Sequence, residues 1–222
     1  MKKNRLQKNN WLVFCLLILF AQPLLSQTIE KCYVNMPDIL NPTLTKQNRL
    51  ELLEYHKAGQ GDSVTNRFGH LAYLVSVDTL QQQIVVKNTP SSRLEMKILH
   101  LEDNTTVIGV IRTVCAPVCM STVEFYDTAW HLIPLQFNMP KAIEWVDLKG
   151  IPAEKTDINW VKNLMDISFI SLSFSNKGQF LIAKNNTFDF LSEEDRKVVA
   201  PYVNGRTILF KLGGRTWQRI QP

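Results

Sequence analysis

From Leu71 to Leu135 the chain keeps a period of two through five consecutive runs, and this alternation constrains the fold more than any other feature of its 222 residues. The runs are Ala72–Val77, Gln83–Lys87, Arg93–Leu101, Thr106–Cys115 and Ser121–Tyr126. Turn formers separate them at Pro90-Ser91-Ser92 and Asp103-Asn104. Connections this short join antiparallel neighbours, because a parallel pair needs a crossover of a dozen residues or more. The stretch therefore predicts an antiparallel meander.

Helical signals flank it. Asn41 as cap and Pro42 at a first helical position open a predicted helix over Thr45–Lys57, ended by Gly59 and Gly61. Its inward residues are read as Leu50, Leu53 and Tyr55, with Arg49, Glu51 and Glu54 solvated. Past Asn138-Met139-Pro140, Asp157 caps a helix through Met165, and strands follow at Ile167–Phe174 and Gln179–Ala183. Ser192 and the acids Glu193, Glu194 and Asp195 open a helix through Tyr202. Arg206–Leu212 and Arg215–Ile220, joined by Gly213-Gly214, make a closing hairpin. The fold class is α+β: a meander with an N-terminal helix (residues 27–137), then a smaller lobe of helix and antiparallel strands (residues 138–222). The two parts form separate lobes or one continuous core.

The first 26 residues are different in kind. Lys2, Lys3, Arg5 and Lys8 precede an apolar run from Trp11 to Phe20, Pro23 interrupts it, and small Ser26 precedes Gln27. This is the layout of a cleavable secretory signal, and the run falls short of the roughly 20 apolar residues of a membrane span. No comparable run follows, so no transmembrane segment is expected after its removal. Four of the 25 basic residues and none of the 20 acidic ones lie there, so cleavage leaves 21 against 20, a formal charge of +1. The basicity of the whole chain thus belongs to export, and nucleic acid is excluded as a partner. Three of the four cysteines, Cys32, Cys115 and Cys119, survive cleavage into an oxidising compartment.

Met36-Pro37-Asp38, Pro42, Leu44-Thr45 and Asn48-Arg49-Leu50, followed by the stretch from Arg112-Thr113-Val114-Cys115 to Phe125-Tyr126 and by Trp130 and Leu132, resemble two blocks of a family of exported Bacteroidales proteins known only as a domain of unknown function. The resemblance covers nearly the whole mature chain. It implies a Gram-negative periplasmic or cell-surface setting and carries no catalytic residue across.

Cys115-Ala-Pro-Val-Cys119 is the segment richest in chemistry. With three residues as a loop, Cys115 faces Cys119 across a hairpin, at a separation that suits a disulfide. Two buried thiols, a redox dithiol and a soft-metal site with Met120 as thioether neighbour are the other readings. The same register sets Ile111 against Val123 and Arg112 against Thr122. Arg112 and Glu124 then lie diagonally on one face, and Ile111, Val123 and Phe125 on the core face.

The four histidines, His56, His70, His100 and His131, show no metal-ligand spacing, and no nucleophile motif is present. The acids from Glu193 to Asp195 are neighbours on a helix and do not face one another. The basic hairpin residues Arg206, Lys211, Arg215 and Arg219 are read as a charged sheet face, and Trp130, Trp145, Trp160 and Trp217 as core. Asp62-Ser63-Val64, Asp78-Thr79-Leu80 and Asp127-Thr128-Ala129 match the tripeptide that bacteria of the resembled group O-glycosylate after export, which makes Ser63, Thr79 and Thr128 candidate sites.

These readings converge on a non-enzymatic exported accessory or binding protein, without cofactor, whose partner is an envelope protein or glycan. The alternatives are a hydrolase with a site assembled from distant residues, and a copper carrier using Cys115 and Cys119. Cleavage between Ser26 and Gln27 is testable by intact-mass measurement of the exported protein. A mature chain starting at Gln27 is expected, and retention of residues 1–26 contradicts it.

Overall fold

The structure is a computed structural model that describes residues 27–220 except Ala153, Lys155 and Arg206. The expected signal, residues 1–26, and Arg206 of the closing hairpin lie outside the described residues. The fold is α+β. Six strands form one antiparallel sheet in chain order: β1 (Ser63–Thr65), β2 (Leu71–Asp78), β3 (Gln83–Thr89), β4 (Ser92–His100), β5 (Thr106–Cys115) and β6 (Cys119–Tyr126). Two helices, α1 (Ile29–Asn35) and α2 (Lys46–Ala58), pack on one face. The later helices are α3 (Ile158–Leu164), α4 (Thr187–Phe190) and α5 (Glu193–Val199). A second antiparallel sheet is ordered β10-β9-β8-β7, from β7 (Ile170–Phe174), β8 (Phe180–Asn185), β9 (Thr207–Gly213) and β10 (Thr216–Ile220).

The pleat assigns each face of the first sheet to a different core. Leu94, Met96 and Ile98 of β4 join Ile29, Tyr33, Leu52 and Leu53 beneath the helices. Leu99, Val107, Ile111 and Phe125 face the other way and pack with Ile170, Leu172, Phe174, Leu181, Phe210 and Trp217. Segments 27–137 and 138–222 thus both supply this second cluster. A third cluster joins Ala142, Val146, Ile151, Val161, Met165 and Val199, from α3, α5 and the turn between the sheets. Coverage on both faces explains why β4 is buried from Leu94 to Leu99.

The N-terminal helix departs from expectation in start and in facing. Thr45, not Asn41, is the cap: its side chain accepts the Asn48 N–H while Asn48 answers to the Thr45 backbone. Asn41 is instead buried against Asn88, after a 3-10 turn at Asp38–Leu40. Arg49, Leu52 and Leu53 form the buried face, whereas Leu50 and Tyr55 are exposed. An arginine tolerates that position because carbonyls left open where α1 ends need donors. Its guanidinium donates to the carbonyls of Val34 (3.2 Å), Met36 and Leu44 (2.6 Å) and pairs with Asp38 at 3.0 Å. The Gly59 C-cap holds, with left-handed φ of 65°. Both α1 and β1 were missed by the periodicity, since seven and three residues are too short to show one.

The two sheets meet along a seam that is polar as well as apolar. Phe174 lies so close on β5 that a Cβ at Gly109 would stand 2.5 Å from its ring. Strand β7 is an edge strand, and side chains of the first sheet close its outer amides. Glu95 Oε1 accepts the Phe174 N–H at 2.6 Å, and Ser121 Oγ accepts the Leu172 N–H at 2.9 Å. Lys97 donates to the Ser175 carbonyl at 2.7 Å, and Gln83 bridges Glu95 and Lys97 at 3.0 and 3.3 Å. Burial raises the Glu95 pKa against the lowering effects of the Phe174 N–H, Arg93, Lys97 and Gln83. Burial likewise lowers that of Lys97 against the pull of Glu95 and Asp78. Desolvation outweighs attraction at both groups.

Glu95→Ala strands the Phe174 amide and Gln83, so urea unfolding is expected to show a loss of about 2–4 kcal/mol. Glu95→Gln keeps an acceptor and loses less. The folded-state pKa lies above the ordinary 4.5, so the Glu95 contribution is largest at low pH and falls as pH rises through the folded value. The stability of Glu95→Gln relative to wild type therefore improves with rising pH; a gap that widens with pH contradicts this.

Candidate functional site

The β5–β6 hairpin has the register its cysteines predict. Cys115 opposes Cys119, Arg112 opposes Thr122 and Ile111 opposes Val123. The Cys115 N–H donates to the Ser91 carbonyl on the β4 side, so the cysteines face each other as a non-hydrogen-bonded pair. They form a disulfide. On the opposite face Arg112 Nη1 meets Glu124 Oε2 at 2.6 Å, and the Tyr126 hydroxyl donates to the same oxygen at 2.7 Å. Tyr126 and then Arg112 hold the Glu124 carboxyl below its ordinary pKa, while burial pushes the Tyr126 phenol up.

Arg112 also reaches across to the other sequence block. Its Nε donates to the Leu40 carbonyl at 3.1 Å, and the Arg49 clamp fixes the same segment from its far side. Between segment 39–43 and strands β4–β6 lies a cleft of about 430 Å³. Leu40, Pro42, Arg112, Val114, Glu124 and Tyr126 line it. Asn41 and Asn88 form its buried floor, each already hydrogen-bonded to the other. Around it three apolar side chains meet solvent: Ile39 (83% exposed), Val114 (51%) and Met120 (49%). The cleft is thus a charge-balanced polar pair within an apolar rim. Residues of both blocks of the resemblance, such as Pro42, Arg112 and Tyr126, line it together with Asn88 and residues 92–94.

The other candidate residues are dispersed. With both sulfurs joined, neither Cys115 nor Cys119 offers a thiolate to a metal, and Met120 stands on the face opposite them. Cys32 is free and buried, its thiol pushed up to about 11 by burial. His56 pairs with Asp62 at 2.6 Å and His131 with Asp127 at 3.0 Å, both at the surface, with 81% of the His131 side chain exposed. His70 and His100 are exposed. Among the described residues no three His, Cys, Asp or Glu side chains cluster as a metal site would require, and no helix is long and apolar enough to cross a membrane.

Trp145 and Trp217 are buried in the second cluster and Trp130 packs on the first, whereas Trp160 is partly exposed and lies outside the core it was expected to join. Arg215 and Arg219 are balanced by Asp103 and Glu144, at 3.5 and 3.1 Å. Ser63 is half-buried in β1. Thr79 and Thr128 are exposed in turns whose preceding aspartates, Asp78 and Asp127, accept backbone N–H groups two residues on.

The cleft itself was not legible in the sequence. Its Arg112–Glu124 wall follows from the hairpin register, but its other wall depends on where Leu40 lies. No residue of the sequence announces that wall, because Arg49, which fixes it, looks solvated on a helical wheel and is buried only by contacts with residues 34–44.

Fold and cleft together define an α+β protein built on two packed antiparallel sheets, with a cleft at one face of the six-stranded sheet. The chain belongs to the family described as "Protein of unknown function (DUF3256)", which matches residues 21–218. A domain of an uncharacterized protein from Porphyromonas gingivalis has the same fold, with a TM-score of 0.72 and 19% identity over 87% of this chain and 98% of that one. No curated protein matches.

The disulfide closes a very small loop. Replacing Cys115 and Cys119 with serine is expected to cost about 2 kcal/mol by the chain-entropy account. Thermal unfolding of the double variant checks this, and global unfolding at room temperature contradicts it.

Proposed function

We propose that this is a non-enzymatic exported binding protein of the periplasm or cell surface, whose cleft holds part of an envelope protein or glycan. The observation that carries the reading is the cleft to which both sequence blocks contribute, with Arg112 and Glu124 on its wall and Ile39, Val114 and Met120 exposed beside it. Apolar side chains left in solvent around a concave polar pair are a common mark of a recognition surface. The secretory layout of residues 1–26 and the Cys115–Cys119 disulfide suit an oxidising compartment outside the cytoplasm. Export further makes Thr79 and Thr128 the favoured O-glycosylation sites, ahead of half-buried Ser63.

A hydrolase is the second reading, and the His131–Asp127 pair is the feature that favours it. A base oriented by a carboxylate is two parts of a nucleophilic site, yet this one lies open to solvent and outside the cleft.

The test is capture from envelope extract by tagged mature protein, run beside Val114→Asp. Material retained by wild type and lost by the variant at unchanged melting temperature is the expected result. Turnover in a broad hydrolase screen that is abolished by His131→Ala overturns the proposal.

A further inference from the structure

We infer that the cleft takes a neutral saccharide, a step that rests on the binding reading above and narrows it to one ligand chemistry. The argument starts from which atoms remain open. Arg112 spends Nη1 on Glu124 and Nε on the Leu40 carbonyl, and Glu124 Oε2 receives both Arg112 and Tyr126. Among the described residues no hydrogen bond engages Arg112 Nη2 or Glu124 Oε1, and neither is a buried unsatisfied atom. Arg112 Nη2, with two N–H groups, and Glu124 Oε1 are thus unengaged atoms of two cleft-lining side chains that are locked together by their own 2.6 Å contact.

Charge decides which ligands match. The guanidinium and carboxylate cancel, so an anion gains at Arg112 what it loses at Glu124, and a cation the reverse. A neutral group that both donates and accepts suits the pair. Each hydroxyl of a vicinal diol does both, and two neighbours on a pyranose present them side by side. A backbone amide is a poorer match, because in the planar trans peptide its N–H and C=O point in opposite directions. Saccharides also carry an apolar C–H face, and Leu40, Pro42 and Val114 line the cleft beside the polar pair. At about 430 Å³ the cleft falls within the size range of small-molecule sites.

The experiment is an amide-resolved NMR titration of the mature chain. The probes are neutral tetrasaccharides of glucose, N-acetylglucosamine, galactose and mannose, with a glutamine-containing hexapeptide as comparison. Saturable shifts at Val114, Glu124 and Tyr126 are expected with at least one tetrasaccharide. Val114→Asp, at an exposed rim position, should weaken that binding roughly tenfold or more without changing the melting temperature, and Arg112→Lys should weaken it as much through loss of the fork. Saccharide shifts that map elsewhere, or no shift with any of the four sugars, overturn the inference. Shifts at the cleft with the hexapeptide alone overturn it too, while leaving the broader binding reading in place; loss of envelope capture is what would remove that.

Discussion

Closure of one sheet edge by the side chains of another organises this molecule. Strand β7 ends the four-stranded sheet and lies over the six-stranded one, so its outward amides find no neighbouring strand. Glu95, Ser121, Gln83 and Lys97 stand where those groups point. A buried carboxylate is a costly way to satisfy an amide, and the raised Glu95 pKa reflects that cost. What the arrangement achieves is register: Phe174 is held over Gly109, and the apolar cluster around it draws on both halves of the chain. It also removes an open edge from the surface.

The seam reaches the cleft through β6. Ser121 accepts from Leu172 and faces Thr113 at 2.8 Å, while the Cys119 carbonyl receives the Asn186 side chain at 2.8 Å. The β5–β6 hairpin is thus tied to the second sheet on one face, and on the other it carries Arg112, Glu124 and Tyr126. Arg49 does the matching work for the opposite wall, gathering the end of α1, Asp38 and Leu44 around one guanidinium. One cleft wall therefore rests on the buried Arg49, and the other on the neutral contacts of Ser121 and the Cys119 carbonyl.

Legibility in the sequence follows the reach of each interaction. The run Thr106–Cys115 is readable to its ends because alternation, flanking turns and the paired cysteines agree. The Arg112–Glu124 diagonal follows by counting along the hairpin. Asp157 and Ser192 are readable as caps because capping is local. The short α1 and β1 escape the periodicity, Asn41-Pro42 mimics the cap that Thr45 supplies, and the remaining failures are long-range. Arg49 looks solvated on a helical wheel, and only the carbonyls of residues 34–44 make it a core residue. Glu95 and Lys97 look like the polar side of an alternating strand, because nothing nearby announces that a second sheet will cover them. The O-glycosylation tripeptides are local signals, and their turn geometry at Asp78 and Asp127 is local too.

Native-state hydrogen exchange at the Leu172 and Phe174 amides tests the central claim, that side chains of the six-stranded sheet close the edge of β7 and bind the two sheets into one cooperative unit. The account predicts that both amides are protected nearly as strongly as those of the interior strand β5 and exchange together with them under global unfolding. Rapid exchange at Leu172 and Phe174 while β5 and β8 stay protected would contradict it, because the edge would then be open and the two sheets would be separate units.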